Sequence, residues 1–211
     1  MYVNLDAVMR LTRAESKQRT RARLIASGLK SFARHGFHAA SVDEIADNAG
    51  YTRGAFYANF ADKGDLFMTI LEERRAKDMA EITTRLETAA DAEKLGVLQQ
   101  WFEKLTGNQA LDLAYAEFWP HAIRNRQLRR RLARRQQATR DAIAASANEY
   151  LCTTGITLPL PIEHVAGMML AIAEGVLTQS QLDPAGLPDD AFTTTTAYLW
   201  FGLLSQTSHP A

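Results

Sequence analysis

Between Ser41 and Lys63 the chain stops and restarts a helix twice within a few residues, and this constrains the fold more than any other stretch. Ser41 followed three residues later by Glu44 has the form of a capping box. Val42, Ile45, Ala46 and Ala49 then recur at helical spacing. Gly50 sits where that helix has to stop, because glycine tolerates positive φ. Thr52 is placed to accept from the free amides of a second short helix, and Asp62 to cap a third with Leu66, Phe67, Ile70 and Leu71 as its inward stripe. Upstream, Ile25, Leu29, Phe32 and Ala33 form a longer amphipathic helix ending at Gly36, with Phe37 packing behind it. Two short helices joined by a tight turn are the layout of a helix-turn-helix DNA reader. The second of them divides cleanly: Ala55, Phe56 and Phe60 can go inward, whereas Thr52, Arg53, Gly54 and Tyr57 have no apolar role.

These residues carry a family resemblance. Phe32-Ala33-Arg34-His35-Gly36-Phe37, Ser41-Val42-Asp43-Glu44-Ile45-Ala46, Ala49-Gly50 and Phe56-Tyr57-Ala58-Asn59-Phe60-Ala61-Asp62-Lys63 follow in an order that resembles the N-terminal domain of TetR-type transcriptional regulators, over about Arg21 to Leu71. Asn59 departs from the pattern, which often has histidine there. The resemblance implies an all-α chain: an N-terminal three-helix helix-turn-helix domain followed by a larger helical ligand-binding and dimerisation domain. The expected division is a flexible extension over 1–15, the DNA-binding domain over 16–62 and the larger domain over 63–211, with Met9 a second possible start. The implied partners are a near-palindromic double-stranded operator, a second copy of the chain and a small-molecule effector.

Composition agrees. A length of 211 residues with 46% hydrophobic residues suffices for a small domain joined to a larger one. The single Cys152 cannot form a disulfide within the chain and fits a reducing, cytoplasmic setting. No apolar run reaches ~18 residues, so no membrane span is expected. Net charge is zero, but residues 10–34 hold Arg10, Arg13, Lys17, Arg19, Arg21, Arg23, Lys30 and Arg34 against Glu15 alone, and distribution matters more than total for a DNA binder. His35, His38, His121, His164 and His209 lack metal-ligand spacing, and there is no phosphate-binding glycine loop or nucleophile elbow. No catalytic residue, metal or cofactor is therefore expected.

Beyond residue 71 the pattern stays helical, with helices expected at about 63–90, 92–106, 110–123, 126–153, 162–181 and 188–206. Gly155 to Pro161 and Asp183 to Pro188 read as breaks. For DNA, the candidates are Arg53 and Tyr57 in the major groove, Gly54 allowing close approach, and Ser41, Thr52, Asn59 and Lys63 toward phosphates. For an effector, Trp101, Phe102, Tyr115, Phe118, Trp119 and Met168 offer a large aromatic and apolar supply, although each ring is equally suited to ordinary core. Pro120 frees the carbonyl of Ala116, and Glu117 and His121 share a helical face, where His121 is a candidate to orient a polar atom of the effector and the plainer reading is a surface position or a pair with Glu117. For a dimer, Val165, Met169, Ile172 and Val176 repeat at three and four, and the run around Leu199 and Leu203 is apolar all round. Arg124, Arg126, Arg129, Arg130, Arg131, Arg134, Arg135 and Arg140 come without an acid between them; they read as a solvated face, an anion site or a DNA contact. Two functions remain open: a ligand-released repressor, or a constitutive or architectural DNA-binding dimer. An enclosed cavity in the larger domain separates them.

Overall fold

The computed structural model describes residues 12–90, 96, 97, 100 and 109–207. Its helices are α1 (Arg13–Ala39), α2 (Val42–Asn48), α3 (Arg53–Tyr57), α4 (Lys63–Thr88), α5 (Gln109–Arg124), α6 (Arg126–Thr154), α7 (Ile162–Leu182) and α8 (Ala191–Thr207). No strand occurs among the described residues. The helix expected at 92–106 falls mainly outside them, as do Trp101 and Phe102.

Local chemistry sets the boundaries. α1 begins inside the stretch expected to be flexible, because Thr12 and Glu15 form a reciprocal capping box: the Thr12 hydroxyl accepts from the Glu15 amide and the Glu15 carboxylate from the Thr12 amide at 2.7 Å. Near its other end α1 is broken at Gly36, whose φ of 75° only glycine adopts freely. That break turns Phe37 into the core. Asn125 Oδ1 accepts from the amides of Gln127 and Leu128 and starts α6, directly after α5. α5 runs through Pro120 without ending.

One core joins the helix-turn-helix unit to the larger domain. Leu24, Phe32, Phe37, Ile45, Phe56, Phe60, Leu66, Phe67 and Met68 cluster with Ala114, Phe118, Ala122, Leu128 and Leu132. A second, smaller cluster holds Ile82, Ile143, Ala144 and Ala166 between α4, α6 and α7. The α6 arginines divide accordingly: Arg131 points inward and forks between Asp65 and Glu72 of α4, with Nη2 2.6 Å from Glu72 Oε2.

Candidate functional site

The short helix α3 is held at both ends. Thr52 Oγ1 accepts from the Ala55 amide at 3.2 Å, and Gly50, with φ of 77°, makes the turn out of α2. Asp62 Oδ1 accepts from the Asp65 amide at 2.7 Å and opens α4. Phe56 and Phe60 are buried, so rotation of α3 is fixed. Thr52, Arg53, Gly54 and Tyr57 are left exposed together on its outer side. Arg53 Nη1 lies 3.0 Å from Asp43 Oδ2, and its guanidinium carbon 5.6 Å over the Tyr57 ring. The hydrogen bond to Tyr57 and the charge of Asp43 hold the Arg53 pKa above its usual value.

Of three expected phosphate contacts, Ser41 stays exposed without its expected capping bond, and Asn59 and Lys63 bond within the chain. Ser41 precedes α2 and is exposed, but it makes no cap bond; its expected partner Glu44 instead reaches His35 Nε2 at 3.3 Å. Asn59 turns back along its own helix and donates from Nδ2 to Ala55 O at 2.8 Å, leaving Oδ1 buried. Lys63 is a strap rather than a free cation: Nζ donates to the carbonyls of His38 (2.8 Å) and Ala40 (2.9 Å) and lies 4.9 Å over the Phe37 ring. Burial lowers its pKa, against the charge of Glu117.

Both carbonyls that Lys63 holds belong to the broken end of α1, and α5 meets the same corner. Glu117 Oε2 accepts from the His38 amide at 2.8 Å, and a Cβ at Gly36 would come within 2.7 Å of Glu117 Oε1. Phe118 is fully buried between Phe37 (5.1 Å between ring centroids) and Phe67 (4.9 Å). The His121 ring lies 5.2 Å from Phe37. Phe118 and His121 were expected to line an effector pocket; they form instead the seam between α1, α4 and α5. The reason is register, since positions 117, 118 and 121 share the side of α5 that faces the Gly36 break.

Tyr115 and Trp119 stay together, rings 5.7 Å apart, and face the next helices. The Arg135 guanidinium lies 5.7 Å over Tyr115. Burial pushes the Tyr115 phenol up to about 12, with Arg135 opposing. Glu174 of α7 accepts from Gln136 Nε2 at 2.8 Å, and burial raises its pKa against the pull of Gln136, Arg135 and Arg140. Met168 does not join them: it is exposed on the outside of α7. Two open clefts lie elsewhere, one along Arg126, Gln127, Arg130 and Arg134, the other from Asn148 to Ile162, and neither is lined by Tyr115 or Trp119.

Burial divides the expected dimer residues. Val165 and Leu203 are buried within the chain, and Met169 packs on the second core cluster. Ile172, Val176 and Leu199 are half-buried. The most apolar stripe is consumed in holding α7 and α8 to their own chain. The stripe left outside is His164, Met168, Ala171, Gly175, Thr178 and Leu182 on α7, beside Thr194, Tyr198, Phe201 and Ser205 on α8. Leu182, Tyr198 and Phe201 expose 76%, 74% and 69% of their surface. The all-round apolar run on α8 pointed to its half of this face, but sequence reading missed the α7 half, because small residues at Ala171 and Gly175 do not stand out in an apolar count. It also missed the Glu117 bond, whose two halves lie 79 residues apart.

A helix-turn-helix head carried on a larger all-helical domain defines a DNA-binding transcriptional regulator. Residues 24–70 match the model of bacterial regulatory proteins of the tetR family, and residues 92–204 that of the BetI-type transcriptional repressor C-terminal domain. The chain belongs to the TetR family. It is 35% identical over 91 residues to the HTH-type transcriptional regulator AcrR of Shigella flexneri, a match covering 43% of this chain and 41% of that protein. It is 27% identical over 175 residues to the probable acrEF/envCD operon repressor of Escherichia coli, covering 79% of each. Among solved structures, a TetR transcription regulator from Haloarcula marismortui superposes with a TM-score of 0.73 at 19% identity, over 89% of this chain and 99% of that one. FadR from Bacillus subtilis in complex with stearoyl-CoA gives 0.69 at 19% identity, over 87% and 97%. Among the described residues no helix is long and apolar enough to cross a membrane.

Proposed function

We propose that the protein represses transcription by binding a near-palindromic operator through α3 as a homodimer, and that a small molecule taken up by the larger domain releases it. One observation carries the DNA reading: α3 buries Phe56 and presents Arg53, Gly54 and Tyr57 on a helix pinned at both ends. The Arg53 contacts to Asp43 and Tyr57 are solvent-exposed, so a guanine edge can replace them at little cost. The Thr52 hydroxyl, the exposed Ser41 and the free amides that open α2 and α4 suit phosphates. Two heads are needed for a two-fold site, and the uncovered α7–α8 stripe gives a self-complementary face for pairing.

Release by an effector is supported by what α5 joins. One helix carries Tyr115 and Trp119 toward Arg135, and Glu117, Phe118 and His121 toward the end of α1. A ligand that moves α5 therefore moves the head. Relatives named as repressors and a FadR fold-mate holding stearoyl-CoA favour the same reading.

The test starts from a duplex selected from a randomised pool by the full-length protein. Arg53→Ala should lose about 1–3 kcal/mol of binding and relax the sequence preference. Equal binding by both proteins would remove α3 as the reader. A thermal-shift screen then finds effectors. Linkage requires DNA to weaken an inducer's binding by the factor by which the inducer weakens DNA binding. Identical effector affinity with and without the duplex would favour a constitutive binder.

A further inference from the structure

The arginines of α6 divide by direction. Arg131 is engaged by Asp65 and Glu72, Arg135 lies over Tyr115, and Arg140 donates to Gln137 Oε1 at 2.6 Å. Arg126, Arg129, Arg130 and Arg134 point the other way, are exposed, and take no carboxylate partner among the described residues. Arg126, Arg130 and Arg134 stand four residues apart, so they form one row about 12 Å long. With Gln127 they line an open cleft of about 420 Å³. Like charges on successive turns repel, and no carboxylate among the described residues compensates them.

The position of the row decides what it meets. A Cβ at Gly64 would lie 2.8 Å from Leu128; Arg131 reaches Asp65 and Glu72; Ile143 and Ala144 cluster with Ile82. These contacts advance in the same direction along both helices, so α6 runs parallel to α4 and starts level with it. The start of α4 is also the end next to α3. Arg21 donates to Asn59 O at 3.1 Å and reaches Thr69 Oγ1 at 3.5 Å, the same oxygen that Arg131 approaches at 3.5 Å. The first turns of α6 thus stand beside the helix-turn-helix unit. A cation row without a described carboxylate partner, on the outer side of a helix that starts beside the DNA-reading head, has the charge and position for DNA phosphates.

We propose that Arg126 and Arg130 hold phosphates of the same duplex that α3 reads, a second DNA-binding surface contributed by the larger domain. This rests on the reading of α3 given above. Such contacts raise affinity and salt dependence without adding base preference.

The experiment compares wild type, Arg126→Gln/Arg130→Gln, Arg126→Lys/Arg130→Lys and Arg53→Ala on the duplex selected from a randomised pool. Two lost phosphates should lower the slope of log affinity against log salt by about 1.8 per protomer. The wild-type advantage over the Gln pair should then shrink roughly tenfold for each protomer, and so about a hundredfold for the dimer, between 50 and 200 mM salt. The Lys pair should keep the wild-type slope. None of the variants should melt below wild type, the Gln pair melting level with it or slightly above through lost repulsion, and the Gln pair should keep the preference for the selected duplex over a scrambled one. A Gln pair with wild-type slope and affinity overturns the proposal. So does a Gln pair that loses sequence preference as Arg53→Ala does. Unchanged DNA binding, with inorganic pyrophosphate raising the melting temperature of wild type but not of the Gln pair, would assign the cleft to a small anion. Failure of the α3 reading looks different: Arg53→Ala then binds like wild type, or no duplex is selected at all.

Discussion

The seam between α1 and α5 and the outer face of α7 and α8 are both built from large apolar side chains, but only the first is covered. Phe37, Phe67 and Phe118 close on one another inside the chain, whereas Leu182, Tyr198 and Phe201 stay in water. The seam is finished by folding. The outer face is the one the proposed dimer would cover, because a patch of several large exposed side chains on adjacent helices is the kind of surface that marks an interaction site. The two regions therefore differ in which measurement should respond when each is damaged.

The largest effect belongs to the outer face. Tyr198→Glu with Phe201→Glu should remove four rings from a two-fold interface, each worth roughly 1.5–3 kcal/mol when buried. Dimers should become monomers in sedimentation at micromolar concentration, with the helical content of the monomer kept. Variants that remain dimeric would place the interface elsewhere. Phe118→Ala should do the reverse: lose about 3–5 kcal/mol of stability in denaturant unfolding and leave the association of the folded protein alone. Gly36→Ala should cost about 1–3 kcal/mol, since it combines a left-handed φ with a methyl pressed against the Glu117 carboxylate. An unchanged denaturation midpoint would show that the corner relaxes freely.

The smallest effect separates burial from charge. Burial holds the Glu174 pKa above its ordinary 4.5, so the folded chain binds that proton more tightly than the unfolded chain does. That contribution is complete below pH 4.5 and is lost as pH rises through the raised value. Glu174→Gln keeps an acceptor for Gln136 and removes the charge. It should raise the melting temperature at pH 7, by an amount worth about 0.5 kcal/mol or less, and give no difference at pH 4. A variant less stable than wild type at pH 7 would mean that Arg135 and Arg140 outweigh burial.

Much of the head was legible in the sequence, because its signals are local. Gly36, Gly50, Thr52 and Asp62 each act within four residues of their own position, and each does in the structure what its type dictates. Ser41 shows the limit even there: its capping pattern was present, but Glu44 found a better partner in His35 on another helix. The larger domain was legible as helices and not as surfaces. Which stripe of α7 faces inward depends on where α6 and α8 lie, and apolar content ranks the inner stripe first. The bonds of Lys63 and Asn59 within the chain were hidden for the same reason: a side chain's type shows what it can bond, while its neighbours decide what it does.

The Glu117–His38 bond has a consequence for building hybrids. Heads and bodies of this fold invite exchange, since the helix-turn-helix unit is contiguous in sequence. Here the carboxylate that fastens the end of α1 is encoded far downstream, on α5, against a position whose left-handed φ favours glycine. A head transplanted without its acid, or a body given a head whose first helix continues unbroken, would meet at the wrong angle although both parts fold. The units that can be traded intact are therefore defined by paired positions, Gly36 with Glu117, and not by a cut in the chain.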